Sequence, residues 1–501
     1  MLRIAVAALL GAATVLGFSP FGLALLPPLL LAGLFLLISR ATPRQAGWAG
    51  FGFGLGLFGM GASWVFIALN AFGEMPLAIA AVSTLGFCVY LALFPAFVGW
   101  FAARATPPRS VRRLLLAAAL FALADWVRSW LFSGFPWLSL GYSQVDTWLG
   151  GFAPIGGVFL VGLAVALSAA ALARLADFSA ANRREAIVAA VALVALWTAG
   201  LALQQIEWST PTGAPLRVSL VQGNIAQERK FEADYRERTL QIYRDLVEQS
   251  RGRLIVLPES ALPMFADEVP ADYLAELRAL ARRNGGDLLV GVFFFEPADR
   301  KGDEDRYFNS VMSLGTGQSQ IYRKYHLVPF GETIPAKPIF GWFIRSFLNI
   351  PLADQTPGTE HPVPFDVAGE RVAVNICYED AFGGELIRQL PQATLLVNVT
   401  NDAWYGHSFA AQQHSQMGAM RALETSRPML RATNTGITSV IDHRGVERMS
   451  LPWFTTGILE ASIAGRTGAT PYVRFGDLLA VAACGLLLLG IALRGIAVER
   501  E

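Results

Sequence analysis

The pattern of apolar and polar positions divides the chain into two unlike parts. Up to residue 206, apolar runs follow one another with short polar breaks, at 4–18, 21–39, 46–70, 76–103, 111–131, 153–173 and 186–206; an eighth spans 475–493. A helix of roughly 20 apolar residues crosses a bilayer, and most of these runs reach that length. The first is shorter. Behind Arg3 it has the outline of a signal-peptide core, but no small-residue cleavage site precedes the next run. A helical hairpin turning at Ser19-Pro20-Phe21-Gly22 fits better. After residue 207 the rhythm changes. Short apolar runs predict strands at 216–222, 254–257, 288–295, 309–314, 320–323, 372–376, 395–399, 429–433 and 437–441. Amphipathic stretches predict helices at 234–249, 270–284 and 412–426. Some strands alternate with helices and others follow each other closely, which predicts a layered α/β sandwich with mixed sheets.

Composition sharpens the division. Apolar residues make up 53% of the chain and charged residues 16%, against about 25% charged in soluble proteins. Disorder and a soluble nucleic-acid binder are excluded, and a net charge of +1 supplies no field for a polyanion. Residues 1–206 hold 11 Arg, five acids and no Lys; the remainder holds 29 basic and 34 acidic residues. With the N-terminus in the cytoplasm, 12 arginines fall on the inner side, and the short outer loops hold only Arg128. Seven crossings then place 207–474 outside, in a bacterial periplasm, and the eighth returns the tail. Gly50, Gly52, Gly54, Gly56, Gly59 and Gly61 predict close helix packing. Trp126, Trp130, Trp137 and Trp148 read as an interfacial belt, or as a wall that holds a lipid. No ladder of intramembrane charges marks an ion-coupled transporter, and Asp125 and Arg128 are placed to pair. The membrane part therefore reads as an anchor and lipid platform.

Candidate chemistry lies in the second part. Cys88, Cys377 and Cys484 are too few and too widely spaced for a disulfide framework or a zinc site. Cys88 and Cys484 sit in apolar runs as small hydrophobes. Three polar motifs stand at strand ends: Leu257-Pro258-Glu259-Ser260, the stretch from Tyr322 through Lys324 to Glu332, and Val374-Asn375-Ile376-Cys377-Tyr378-Glu379-Asp380. Singly each is ordinary. Together Glu259, Lys324 and Cys377 supply the base, cation and nucleophile of acyl transfer. The thiolate is the reactive species. A carboxylate alone would raise the thiol pKa; an ammonium counteracts this and can stabilise a tetrahedral oxyanion. His326, beside Lys324, suits the base role less well than Glu259. His407 and His414 are seven apart, with no Cys or carboxylate set to complete a metal site.

These motifs, with Val221-Gln222-Gly223-Asn224, His326-Leu327-Val328-Pro329-Phe330-Gly331-Glu332 and Asn401-Asp402-Ala403-Trp404-Tyr405-Gly406, resemble the carbon–nitrogen hydrolase (nitrilase) superfamily. Such a domain between seven spans and an eighth resembles, over essentially the whole chain, the apolipoprotein N-acyltransferase family of Gram-negative bacteria. The resemblance implies a membrane bundle of about eight helices, seven within 1–206 and one within 475–501, and a nitrilase-like α-β-β-α sandwich at 207–474. It implies a monomeric inner-membrane enzyme with a periplasmic catalytic domain, needing no metal, cofactor or nucleic acid. Cys377 would take an acyl chain from a phospholipid, typically phosphatidylethanolamine, as a thioester, and pass it to the N-terminal amine of a diacylglyceryl-cysteine apolipoprotein. Glu259 would move the protons, and Lys324, with the Tyr378 backbone N–H, would hold the oxyanion. Glu332 and Glu379 match acids near the family's site, Tyr378 follows the nucleophile, and Phe231 stands where some members carry tryptophan. Trp137, within the aromatic wall, joins them as a supporting residue. The competing readings are a membrane-tethered amidase that passes its acyl-enzyme to water, and a non-enzymatic transporter or scaffold. The Pro- and aromatic-rich stretch 334–362 is the expected lid.

Overall fold

The computed structural model describes residues 1–298, 305–334 and 354–499. Most of the expected lid, 335–353, therefore lies outside the described residues. The chain forms two compact units, one of Met1–Phe66, Ala81–Glu207 and the part from Thr470 onward, the other of Ile67–Ala80 and Trp208–Ala469.

The first unit is helical. Its main helices are Leu2–Thr14, Leu26–Ser39, Pro43–Gly61, Leu77–Ala105, Val111–Arg128, Ala153–Ala176, Arg183–Leu203 and Leu478–Glu499. Among the described residues, three stretches are long and apolar enough to cross a membrane alone: Leu77–Ala105, Trp148–Ala176 and Arg183–Leu203. A fourth qualifies if Pro43–Gly61 and Val65–Phe72, bent by 55°, form one span. Three or four of the expected eight crossings thus stand on length and apolarity alone, and the other apolar helices do not meet that measure. The reasons are local. The first two helices have 13 and 14 residues, about 20 Å at 1.5 Å per residue. The run 46–70 breaks at Ala62-Ser63-Trp64, and Val111–Arg128 carries Arg112, Arg113, Asp125 and Arg128.

The outward faces identify the surrounding solvent. Ile187, Val188, Val191 and Val194 are exposed on one helix, and Leu77, Val82, Leu85, Leu93, Phe97 and Trp100 on another. Long helices that are apolar on their open faces need hydrocarbon around them, so this is a membrane protein. Inside the unit the glycine-rich helix is pressed from two sides. A Cβ on Gly56 would lie 2.0 Å from the Ala8 carbonyl oxygen, and one on Gly50 2.0 Å from that of Pro95. Arg128 pairs with Asp125 at 2.9 Å.

The second unit has two sheets. The first contains β2 (Leu216–Gln222), β3 (Leu254–Val256), β4 (Leu262–Phe265), β5 (Asp287–Glu296), β6 (Arg306–Leu314), β7 (Ile321–Arg323) and β14 (Gly457–Ile463), in the order β14-β2-β3-β5-β6-β7 with β4 on β5. The second contains β8 (Phe365–Val367), β9 (Glu370–Ile376), β10 (Leu395–Thr400), β11 (Met429–Thr433), β12 (Ser439–Ile441) and β13 (Glu447–Ser450), in the order β13-β12-β11-β10-β9-β8. Each sheet has a parallel centre, β2-β3-β5 or β9-β10-β11, with antiparallel flanks. The central strands are buried on both faces, which explains their unbroken apolar runs. β2 faces β11 and β6 faces β9 across the middle. Helices Arg236–Gln249 and Ala271–Arg283 cover the first sheet and Ala410–Thr425 the second. The architecture is the α-β-β-α sandwich. A short ladder of β1 (Ser209–Pro211) and β15 (Arg466–Gly468) joins its two ends.

Candidate active site

Glu259 and Cys377 sit just past the carboxyl ends of parallel strands, where α/β sheets open their crevices, and Lys324 just past the end of the antiparallel strand β7. β3 runs into Leu257 and Pro258, and Glu259 follows. Ser260 adopts φ +44°, so the chain turns sharply at the carboxylate. β9 delivers Cys377 into a short turn, Cys377–Ala381, with Cys377 itself at φ +53°. A left-handed conformation costs a non-glycine residue about 1–2 kcal/mol, and here the Cys377 carbonyl is held. Asn398 Nδ2 donates to it at 3.1 Å and His414 Nε2 lies 3.2 Å away. Lys324 follows β7, with its backbone N–H on the Asn309 carbonyl at 2.8 Å.

All three side chains are buried in one cluster. Lys324 Nζ lies 2.8 Å from Glu332 Oε1 and 3.7 Å from Glu259 Oε1. Asn309 Nδ2 donates to Glu259 at 2.7 Å and to Glu332 at 3.3 Å, so one amide aligns both carboxylates. Glu332 Oε2 also accepts the Val328 N–H at 2.8 Å. Burial disfavours the Lys324 charge, but Glu332, Glu259 and Cys377 more than reverse this and hold the ammonium above the ordinary lysine range. Burial pushes the Cys377 thiol well up; Glu259 and Asp402 add to the rise, while Lys324 and the Thr400 hydroxyl pull it back. A thiol in that state is protonated at rest and needs a base as it attacks.

Glu379 does not touch Lys324 directly among the described residues. Its carboxylate accepts from the backbone N–H of Tyr325 at 2.7 Å, His326 at 3.1 Å and Ile376 at 2.6 Å, and from the Tyr322 hydroxyl at 2.8 Å. It ties the lysine loop to the cysteine turn. Burial pushes it up to about 7 against the pull of Lys324 and these donors. The Tyr378 ring is buried, 5.0 Å from that of Phe382. Phe231 is partly buried against Phe293, at 6.3 Å. His326 stacks on Phe382 at 3.6 Å and meets Glu385 at 3.0 Å. Trp137 belongs to the helical unit and is fully buried there, 4.9 Å from Trp64 and stacked with Phe135. It is a packing residue of that unit, and within the tryptophan group Trp130 and Trp148 are the exposed ones. His407 stacks on Phe454 at 3.9 Å, and among the described residues no cluster of His, Cys, Asp and Glu is arranged to hold a metal.

Sequence reasoning passed over several neighbours. Asn309 sits within a strand, where asparagine is depleted; that is the signal that could have found it. Lys230 is buried, with its ammonium on the Glu259 carbonyl at 3.2 Å and Ser260 Oγ at 2.7 Å. His414 is fully buried, with Nδ1 2.7 Å from Asp402 and Nε2 2.9 Å from Asp380, which also pairs with Arg431. Phe72, from the 67–80 segment of this unit, packs edge-on to Trp404 at 6.1 Å. An open cleft of about 640 Å³, lined by Arg306, Ile321, Arg323 and Val363 among others, borders the Lys324 strand but is lined by none of Glu259, Lys324 and Cys377.

Residues 10–171 match the family model described as "Apolipoprotein N-acyltransferase N-terminal domain", and residues 217–472 the one described as "Carbon-nitrogen hydrolase". The chain is 49% identical over 501 residues to the "Apolipoprotein N-acyltransferase" of Nitrosomonas europaea, across 100% of this chain and 99% of that protein. It is 43% identical over 492 residues to the protein of the same name from Chromobacterium violaceum, across 98% and 93%. The carbon-nitrogen hydrolase structure from Helicobacter pylori is similar at 17% identity and a TM-score of 0.36, across 50% of this chain and 89% of that one.

Proposed function

We propose that Cys377 carries the acyl group in the reaction of this chain, which belongs to the apolipoprotein N-acyltransferase family. The protein is an acyltransferase that N-acylates lipoproteins. The observation that carries the assignment to Cys377 is the buried cluster in which Lys324 stands 3.7 Å from Glu259 and both charges act on the thiol.

In the first half-reaction the Glu259 carboxylate takes the thiol proton as Sγ attacks the ester carbonyl carbon of a phospholipid. The oxyanion that forms is met by the Lys324 ammonium, kept in place by Glu332. Collapse breaks the ester C–O bond; the leaving alkoxide receives the proton from Glu259 and departs as a lysophospholipid. In the second half-reaction the neutral N-terminal amine of a diacylated apolipoprotein attacks the thioester. Glu259 takes the amine proton, the C–S bond breaks, and the thiol is restored. The acyl bond passes from ester to thioester to amide, each step within reach of the last, so no nucleotide is consumed. Phosphatidylethanolamine is the donor in this reading. Action as a monomer is part of this reading. Residues 1–206 and 475–501 form an eight-crossing platform in the bacterial inner membrane, and 207–474 a periplasmic catalytic domain; the distribution of arginines supports that orientation.

The test uses purified enzyme, labelled phosphatidylethanolamine and a diacylated lipopeptide. Phospholipid alone should add one acyl chain to the intact protein, removable by hydroxylamine; adding lipopeptide should convert it to triacylated product. Cys377→Ala should abolish both, by more than about 10³-fold for loss of a nucleophile. Product formation by Cys377→Ala would overturn the assignment to Cys377, and free fatty acid in place of triacylated peptide would overturn transfer to the amine.

A further inference from the structure

Lys230 is a buried charge that the acyl transfer above leaves unused. It is 2% exposed, and its ammonium ends on two neutral oxygens, Glu259 O at 3.2 Å and Ser260 Oγ at 2.7 Å. Among the described residues no carboxylate oxygen pairs with it. A buried ammonium without a counter-ion is costly, so its presence needs a reason beyond packing. The titratable groups that face it are Glu259, beyond β3, and Cys377, beyond β9; in their anionic forms they favour the ammonium, while burial outweighs them and pulls it down to about 8. The turn it grips is the left-handed one at Ser260.

The loop that carries Lys230 is fixed at its root. The Asn224 and Ile225 N–H groups donate to Asn434 O and Oδ1 at 2.9 and 2.8 Å, and Asn434 Nδ2 returns a bond to Ile225 O at 2.8 Å. Asn401 Nδ2 holds Gln227 Oε1 at 2.7 Å. The adjacent Arg229 does the opposite of Lys230: half exposed, it pairs with Glu232 at 3.6 Å and lies over the Tyr235 ring at 4.1 Å. Of two consecutive cations, one is a solvated side chain and the other is directed into the site.

We propose that Lys230 is a positioning residue for acyl transfer: its ammonium clamps the Glu259–Ser260 turn from the backbone side, keeping the Glu259 carboxylate at Lys324 and adding a second positive charge that favours the Cys377 thiolate. The proposal rests on the reading of Glu259 as base and Cys377 as nucleophile. The two lysines then differ in function. Lys324 acts on carboxylates and stays charged. Lys230 acts on a carbonyl and a hydroxyl and loses its proton as pH rises through about 8, which releases the clamp and removes its charge from the thiolate.

The experiment uses full-length enzyme in detergent, with phosphatidylethanolamine as acyl donor and the diacylated lipopeptide as acceptor. The single-turnover rate of Cys377 acylation is followed by intact mass from pH 6 to 10, and Cys377 alkylation by iodoacetamide over the same range. Wild type should show a falling limb of acylation near pH 8. Lys230→Met should acylate roughly 10- to 100-fold more slowly at pH 7, lose that limb, and move the alkylation profile to higher pH, with KM for the lipopeptide unchanged. Wild-type acylation by Lys230→Met, or a slow rate that keeps the wild-type limb and alkylation profile, would overturn the proposal. If Lys230→Met does not fold, Ser260→Ala is decisive: it removes one of the clamp's two acceptors, keeps the lysine, and should slow acylation several-fold and displace the limb to lower pH, and wild-type behaviour would overturn the clamp. Cys377→Ala is run alongside; acylation of that variant would sink the nucleophile assignment itself, whatever the Lys230 variants do.

Discussion

His414 lies behind Cys377 with a carboxylate on each ring nitrogen, Asp402 at 2.7 Å and Asp380 at 2.9 Å, and the Cys377 carbonyl at 3.2 Å. Burial alone would strip its proton; Asp380 and Asp402 outweigh burial and raise it to about 9. A histidine whose folded pKa is raised contributes stability that is fully present below the unfolded value near 6.5 and is lost as pH rises through the folded one. Thermal melts of wild type should therefore fall between about pH 6.5 and 9 more steeply than those of His414→Gln. At pH 7 that variant should lose about 3–5 kcal/mol, the scale for removing one partner from a buried charge set. Melts with the same pH slope in both proteins would refute the bridging role. At this scale the sequence was partly legible. Glu259, Lys324 and Cys377 stand out because each lies at the end of a strand that the sequence predicts. Lys230 does not, because its partners lie 29 and 30 residues away in sequence, and neither does His414, whose partners lie 12 to 37 residues away. Next to Arg229, Lys230 has the outline of a surface cation.

Between strands, one small residue sets the position of the Glu259 turn. In β5, beside β3, a Cβ on Gly291 would stand 2.3 Å from Pro258 O, 2.5 Å from Ser260 N and 2.9 Å from the Glu259 carbonyl carbon. The turn that carries Glu259 therefore lies directly against bare backbone. Gly291→Ala should push that turn outward and slow acylation at least tenfold, for an overpacking cost of about 1–3 kcal/mol that leaves the fold intact. Gly317→Ala, where nothing lies within 4 Å of the new methyl, is the control and should match wild type. Equal rates for both variants would remove the argument. Strands buried on both faces were easily legible: the runs 216–222 and 429–433 coincide with β2 and β11. β14 was not read. It is an edge strand in which Glu460 and Ser462 break an otherwise weak apolar run, and β2 beside it supplies the order that its own sequence lacks. The helical runs failed in a different way, because an apolar run records length but not the 55° bend after Gly61.

For the whole molecule, the charge asymmetry leads to a prediction that the fold alone does not. A reporter enzyme that matures only outside the cytoplasm should be active when fused after residue 207 and inactive when fused after Arg44. An inactive fusion after 207 would reverse the orientation drawn from the arginines. That asymmetry was fully legible, since it is a property of composition, whereas the grouping of 67–80 with the catalytic unit was not, since contact and not hydropathy decides it. The pairing of Ser209–Pro211 with Arg466–Gly468, reinforced by β14 on β2, has one more consequence. Both ends of the sandwich emerge side by side, like the paired pins of a plug. Both tethers of residues 208–469 can therefore be cut or joined at a single locus, while the 67–80 segment of the same unit enters it by a separate route.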